Sequence, residues 1–476
     1  MGDDILSVGV DIGTSTTQVI FSRLRVENTA NYFTIPRATI VDKEVVYKSP
    51  VHLTPLVNES LLDGDAVRAL VEGDFRQAGF RPGDTGTGAV IITGESARKE
   101  NSRLVLEKLS GLAGDFVVAT AGPDLEAIIA GKGSGAQAYS EQRACTVMNL
   151  DIGGGTTNLA LFDQGDVIAK GCLDIGGRLV RLAPDGTVLS ISPPAAAVAQ
   201  TIHLPLEVGK RAEPAQLEAL TGEMAHLLEQ QMGLCPQQPL LRQIETPGAT
   251  PCVLPKAVQA ICFSGGVADL IYRAEETDPL RYGDIGVYLG RAIRQSRLLS
   301  AFRLVEPEET IRATVVGAGT YTTTLSGSTI HYSRDVFPLK NIPVVRVSAG
   351  EQERCFQGDS SLLETKLRWF IHQSDAEYPA LVLPGKKSPA YRELEKLAHS
   401  LSQAAAALLP PTAPLLLVIE TDMAKALGQC VSRLAPERTV VAIDSIKAGS
   451  GDYLDLGRPL LGGMAIPVVV KTLIFG

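Results

Sequence analysis

The strongest constraint on the fold is a turn that the chain uses twice. Ser7–Asp11 and Thr17–Ser22 have the make-up of β-strands, and only a short Gly13-Thr-Ser-Thr segment separates them, so the two are antiparallel neighbours. Cys145–Leu150 and Asn158–Phe162 repeat the arrangement around Asp151-Ile-Gly-Gly-Gly-Thr-Thr, with nearly the letters of Asp11-Ile-Gly-Thr-Ser-Thr-Thr. A strand–turn–strand unit is not the strand-to-helix opening of a Rossmann domain. Its recurrence predicts paired half-domains whose hairpins clamp one ligand from opposite sides.

The residue types in these turns say what that ligand is. Glycine lets the backbone approach a phosphate, and successive N–H groups and hydroxyls surround its oxygens. Gly13, Thr14, Ser15 and Thr16 offer this in the first turn, and Gly153, Gly154, Gly155, Thr156 and Thr157 in the second. Asp11 and Asp151, at the strand ends, would repel phosphate directly; their sensible role is to hold Mg²⁺ through water, which makes them the candidate catalytic and metal residues. One such turn alone reads equally well as an ordinary polar hairpin, but two in the same chain do not. A third element, Phe263-Ser-Gly-Gly-Val-Ala, follows an apolar strand at Ala260–Ser264 and would let the backbone approach adenosine at Gly265 and Gly266.

Size and composition bound the rest. A chain of 476 residues exceeds one ordinary core, and 45% apolar with 20% charged residues predicts several folded units. The net charge of −9, without a long Lys/Arg block, argues against nucleic acid as a partner. Met1-Gly-Asp-Asp lacks a basic leader, and prolines 410, 411 and 414 break the apolar Leu401–Ile419 stretch, so neither signal peptide nor membrane span fits and the chain reads as cytoplasmic. Seven cysteines without a Cys-x-x-Cys pair read as reduced thiols, and dispersed histidines give a protein-held transition metal little support.

Between the two turns, Ala89–Thr93 and Phe116–Ala119 read as strands, Ser96–Leu109 as an amphipathic helix and Leu125–Tyr139 as helical at its ends. A helix is expected at Pro214–Met232. Ile311–Val316, Ser328–Ser333 and Pro343–Val347 are rich in β-branched residues and read as strands. From Ala380 the chain alternates strand and helix through Thr439–Asp444, the rhythm of a further α/β unit. The expected domains are therefore 1–144 and 145–300 as the two half-domains, 301–349 as a β-rich bridging region, and 350–476 as a C-terminal α/β domain. The last lacks the Asp-x-His-x-x-Gly motif of a cobalamin-binding module, so a structural or docking role is expected of it.

Residues 5–22, 145–162, 170–178, 261–272 and 284–294 together resemble the actin, sugar kinase and heat-shock ATPase superfamily, with its phosphate-1, phosphate-2, adenosine and second connecting motifs in order. Within that superfamily, VGVDIGTSTTQVIFS, VIITGESARKEN, NLDIGGGTTNLALF, CFSGGVADLIY, GDIGVYLGRAI and VVGAGTYTTTLSGS resemble the ethanolamine ammonia-lyase reactivating factors from end to end. The resemblance implies a duplicated, ribonuclease H-like α/β fold, ATP and Mg²⁺ as cofactors, and ethanolamine ammonia-lyase as the client. It further implies release of that enzyme's damaged cobalamin and admission of adenosylcobalamin, in a pathway associated with a bacterial microcompartment.

The resemblance leaves the hydrolytic carboxylate open. Aligning the first connecting helix of the heat-shock ATPases places Lys132 where their Glu stands, while Glu126 and Glu95 lie nearby as alternatives. Ala130-Gly-Lys-Gly-Ser-Gly lacks the earlier glycine of a P-loop, and its glycines are expected to permit close helix packing. Gly317-Ala-Gly-Thr and Asp174-Ile-Gly-Gly read as structural. A small-molecule kinase would use the same cleft but needs a substrate-facing base that no motif supplies, and a filament-forming actin relative would sediment in an ATP-dependent way.

Overall fold

The computed structural model describes residues 3–14, 16–29, 38–58, 61–97, 101–110, 117–120, 122–273, 278–321, 323–326, 329–373, 376–450 and 452–472. The first half-domain is built on β1 (Asp3–Ile12), β2 (Thr16–Asn28), β3 (Ala38–Lys48), β4 (Thr87–Ile92) and β5 (Val117–Thr120), in the spatial order β3-β2-β1-β4-β5. β1 pairs antiparallel with β2 and parallel with β4, with Asp11 opposite Gln18 on one side and Ile91 on the other. Helix α1 (Gly64–Ala78) covers this sheet; Asp63 caps it by accepting the Ala66 N–H, and Gly79 ends it at φ +76°. Val67, Val71 and Phe75 pack on Val10, Val19 and Phe21, with the Phe21 and Phe75 rings edge to face at 4.8 Å. A second helix, α2 (Ser102–Ser110), precedes β5.

The next helix, α3 (Pro123–Gly133), starts on a proline at its first position and carries Asp124 and Glu126 in its first turn. The second half-domain then repeats the first. β6 (Thr146–Ile152), β7 (Thr157–Asp163), β8 (Asp166–Leu173), β9 (Ala260–Ser264) and β10 (Arg303–Val305) lie in the order β8-β7-β6-β9-β10, again with the first strand antiparallel to the second and parallel to the fourth. This duplicated order is the ribonuclease H-like arrangement that the family resemblance implies, and its two copies are the paired half-domains that the turns predict. Its core sets Leu150, Ile152 and Leu159 against Leu220, Met224 and Leu227 of α4 (Pro214–Gln231), which also receives α5 (Gly286–Gln295).

The two half-domains meet where α3 crosses α6 (Ala313–Tyr321). A Cβ at Gly133 would collide with the Ala313 carbonyl, one at Gly317 with the Ile129 carbonyl, and one at Gly9 of β1 with the Val315 carbonyl. Backbone therefore packs on backbone, which only glycine permits. Gly131 lies in the same way against the Phe162 ring. Two expectations change here. Ile311–Val316 is not a strand: Val315 and Val316 lie within α6, because close packing outweighs their β preference. The second connecting helix is α6 rather than 284–294, since α5 packs against α4 and the Ala268–Tyr272 helix.

Residues expected to form a separate layer at 301–349 are shared out instead. Arg303–Val305 extends the second half-domain sheet, α6 joins the crossing, and Thr323–Leu325, His331–Tyr332 and Leu339–Arg346 enter a third sheet. That sheet contains β11 (Thr323–Leu325), β12 (His331–Tyr332), β13 (Leu339–Arg346), β14 (Ala380–Leu383), β15 (Leu415–Ile419), β16 (Val440–Asp444), β17 (Asp452–Leu456) and β18 (Pro467–Thr472). Their order is β11-β18-β17-β13-β14-β15-β16-β12, with β13 to β16 parallel. Leu381, Leu417 and Ala442 face the helices Ala349–Gln357, Ser361–Gln373, Tyr391–Leu408 and Ala424–Leu434, while Val382, Val418 and Val441 form a second core on the opposite face. Among the described residues, no helix is long and apolar enough to cross a membrane.

Candidate functional site

The two phosphate-type turns are closed by the same hydrogen bond. The Gly13 N–H donates to the Thr16 carbonyl and the Gly153 N–H to the Thr156 carbonyl, both at 2.9 Å. Each turn thus holds its backbone in one shape at the end of a buried strand. Between them lies a cleft of about 470 Å³. Gly13, Thr14 and Thr16 line it from the first half-domain, Gly153, Gly154, Gly155 and Thr156 from the second, and Gly265 and Gly266 from the loop after β9. Gly265 takes φ +86° and packs on the Ile152 backbone, where a side chain would not fit. Thr157 faces the core instead, its hydroxyl donating to the Ile175 carbonyl at 2.8 Å. Ser15 lies outside the described residues.

Asp11 and Asp151 both line the cleft. They are supported by matching neighbours: Thr93, just beyond β4, donates to Asp11 Oδ1 at 2.8 Å, and Ser264, the last residue of β9, donates to Asp151 Oδ1 at 2.6 Å. Ser264 is itself held by Asn149 Nδ2 at 3.0 Å, and Asn149 accepts the Ser134 hydroxyl at 2.8 Å, a buried chain leading back to the end of α3. Burial pushes the Asp11 carboxyl up to about 7, with the Asp151 charge adding to the push and the Thr93 hydroxyl opposing it. Burial also raises Asp151, against the hydroxyls of Ser264 and Thr314 and the Asn158 amide.

Glu126 completes the group. It is 8% exposed, lines the cleft and accepts the Gly94 N–H at 3.3 Å. Burial holds its carboxyl well above the ordinary range, and the charges of Asp11 and Asp151 raise it further. Lys132 is not among the lining residues, so the connecting helix presents Glu126 to the cleft and not the position that the alignment matched. The Glu95 side chain lies outside the described residues.

Two further residues were not singled out from the sequence. Gln18 stands opposite Asp11 across the first hairpin, and Asn158 opposite Asp151 across the second. Both amides are buried, and both side-chain oxygens lack a hydrogen-bond partner among the described residues. Gln18 lines the cleft with the two aspartates while Asn158 does not, so the two carboxylates and the orphaned Gln18 oxygen form an all-oxygen donor set, which fits a hydrated hard cation such as Mg²⁺. The signal was available: an amide residue follows each aspartate by seven positions. Arg178, Tyr282 and Asp284 also line the cleft, and Asp284 Oδ1 accepts the Gly286 N–H at 2.8 Å. Asp174 is not a lining residue; it accepts the Thr246 hydroxyl at 2.6 Å.

The chain is 39% identical over 471 residues to the ethanolamine ammonia-lyase reactivase EutA of Salmonella typhimurium, covering 99% of this chain and 98% of that one. It is 37% identical over 471 residues to the protein of the same name from Escherichia coli, with the same coverage. Among solved structures, the Aquifex aeolicus PPX-GPPA enzyme superposes with a TM-score of 0.41 at 13% identity, over 66% of this chain and 99% of that one. The model of the family described as ethanolamine utilisation protein EutA matches residues 3–476, and the chain belongs to that family.

Proposed function

We propose that the chain is a reactivase of ethanolamine ammonia-lyase that uses ATP to release damaged cobalamin from that enzyme and admit intact adenosylcobalamin. The observation that carries this reading is the near full-length relation to two proteins named as such reactivases. The duplicated turns and the cleft between them support nucleotide use. Association with a bacterial microcompartment belongs to the same proposal and rests on the family resemblance alone.

In this reading the N–H groups and hydroxyls at Gly13–Thr16 and Gly153–Thr156 bind phosphate oxygens from opposite sides. Gly265 and Gly266 let the backbone approach the adenosine. Asp11 and Asp151 would hold a Mg²⁺ ion through water, with Gln18, which lines the cleft beside them, as an acceptor for that water. When bound, the ion supplies neutralisation of phosphate charge. Glu126, fixed by the Gly94 N–H, orients water or takes its proton. The α3–α6 crossing is where closure of the cleft would be transmitted, and ATP and ADP forms must differ in affinity for the client if nucleotide is to bias the change.

The test mixes the purified protein with ethanolamine ammonia-lyase inactivated by damaged cobalamin, free adenosylcobalamin, and either Mg-ATP or none. Recovery of deamination that requires ATP, Asp11 and Asp151 is expected, with Asp11→Ala and Asp151→Ala as controls. ATP binding without recovery would sink the reactivase reading, and phosphorylation of ethanolamine or a sugar would replace it with a kinase.

A further inference from the structure

Away from the cleft, His226, Glu229 and Cys235 come together on the second half-domain. His226 and Glu229 stand one turn apart on α4, and the chain doubles back after Met232 to bring Cys235 to them. Cys235 Sγ lies 3.9 Å from His226 Nδ1, and the same nitrogen lies 3.3 Å from Glu229 Oε2. All three donor atoms fall within 4.8 Å of one another. In a tetrahedral zinc site with bonds of about 2.0–2.3 Å, neighbouring donors are about 3.3–3.6 Å apart. The two closer separations already bracket that edge, so modest side-chain rotation would complete it.

The surrounding structure holds these donors in place. Glu229 Oε1 accepts the Arg297 backbone N–H at 2.7 Å, which leaves Oε2 on the His226 side. The Arg297 guanidinium donates to the Leu234 carbonyl at 3.0 Å, and Gln230 Oε1 accepts the Gln238 N–H at 2.8 Å, so the loop carrying Cys235 is pinned on both sides. Such outer partners orient ligands in metal sites. Beside the triad, a cavity of about 400 Å³, lined by His226 and Glu229 together with Tyr288 and Arg291, gives an ion access and room for a fourth ligand.

We propose that His226 Nδ1, Glu229 Oε2 and Cys235 Sγ bind a divalent cation of the zinc class, with a fourth position open to the cavity. Imidazole and thiolate select such an ion over Mg²⁺, so the site is chemically separate from the all-oxygen cleft. The thiol and the imidazole coordinate in their deprotonated forms, so binding releases the thiol proton to solvent. Scattered histidines and cysteines hide the site in the sequence, because it uses positions i, i+3 and i+9 rather than a short zinc motif. The ion would clip the loop after α4 to the helix.

The full chain, stripped of metal with a chelator, is titrated with Co²⁺ in excess Mg²⁺. One equivalent is expected to produce a near-ultraviolet thiolate-to-cobalt band that Zn²⁺ displaces. Cys235→Ser should abolish the band, and His226→Ala should weaken binding by at least about 10-fold. Independently of any variant, Zn²⁺ should slow alkylation of Cys235 in the wild-type chain, followed by peptide mapping. Absence of the band, its survival in Cys235→Ser, or alkylation indifferent to Zn²⁺ would each overturn the site.

Discussion

Glu126 Oε2 accepts the Gly94 backbone N–H at 3.3 Å, tying the first turn of α3 to the segment just beyond β4. The bond fixes a carboxylate whose pKa is raised by burial and, further, by the charges of Asp11 and Asp151. Such a cluster costs stability when ionised.

Glu126→Gln keeps the acceptor oxygen and removes the ionisable group. We expect ATP hydrolysis in single-turnover assays to fall about 100-fold to 10,000-fold, with nucleotide affinity unchanged or tighter. Hydrolysis at the wild-type rate would remove Glu126 from the chemistry. The same variant should melt higher than wild type at alkaline pH, where Glu126 is otherwise forced to ionise, and converge with it in acid.

The paired supports of the aspartates predict paired effects. Ser264→Ala takes the hydroxyl from Asp151 and leaves the Asn149 amide unpaired, while Thr93→Ala takes the hydroxyl from Asp11. Each should cost about 1–3 kcal/mol in urea unfolding and weaken Mg-nucleotide binding, because each leaves a carboxylate with one donor fewer. Calorimetric titration reads the second effect. A loss confined to one variant would mean that the two half-domains do not share the cation.

At the α3–α6 crossing, Gly317→Ala places a methyl group against the Ile129 carbonyl. We expect a loss of about 1–3 kcal/mol in denaturant unfolding, since neither backbone can move without opening the crossing. Gly222→Ala, on α4 with nothing near the added carbon, should instead stabilise by about 0.4–1 kcal/mol. A destabilisation of equal size at both positions would contradict the close packing.

What the sequence discloses here is what is local. The hairpins around Asp11 and Asp151 follow from adjacent strands and a short turn, and their duplication predicts the duplicated sheets. The parallel strands from Ala380 to Asp444 are likewise legible from alternating apolar runs and helices. Partnership across long separations is not. His331–Tyr332 joins the C-terminal sheet beside Val441 and Ala442, far along the chain, so nothing near it indicates that it leaves its own segment. Residues 311–316 read as a strand because of their β-branched side chains, yet the grooves at Gly9 and Gly133 accept a small-residue helix there. Lys132 drew attention through alignment register, whereas the position facing the cleft is set by how α3 packs. Gln18 and Asn158 meet their aspartates only across the paired strands, so the letters of the turns do not point to them.

The raised carboxylates give the cleft a pH dependence with a definite sign. Asp11 moves from an ordinary value of 3.8 to about 7 on folding, so between those values the folded chain binds more protons than the unfolded one. The Asp11 contribution to the stability of the metal-free protein should therefore fall as pH rises through this window and level off above about 7, the further loss at alkaline pH belonging to Glu126. Mg²⁺ must displace the remaining proton, so its binding with nucleotide should strengthen over the same rise and release protons near neutrality. Calorimetry in buffers of different ionisation enthalpy counts those protons, and thermal melts from acid to alkaline pH follow the stability. Asp11→Asn removes one of the titrating groups, and we expect it to reduce the slope of both profiles below about pH 7, leaving the alkaline loss due to Glu126; profiles that keep their full slope there in this variant would place that titration elsewhere.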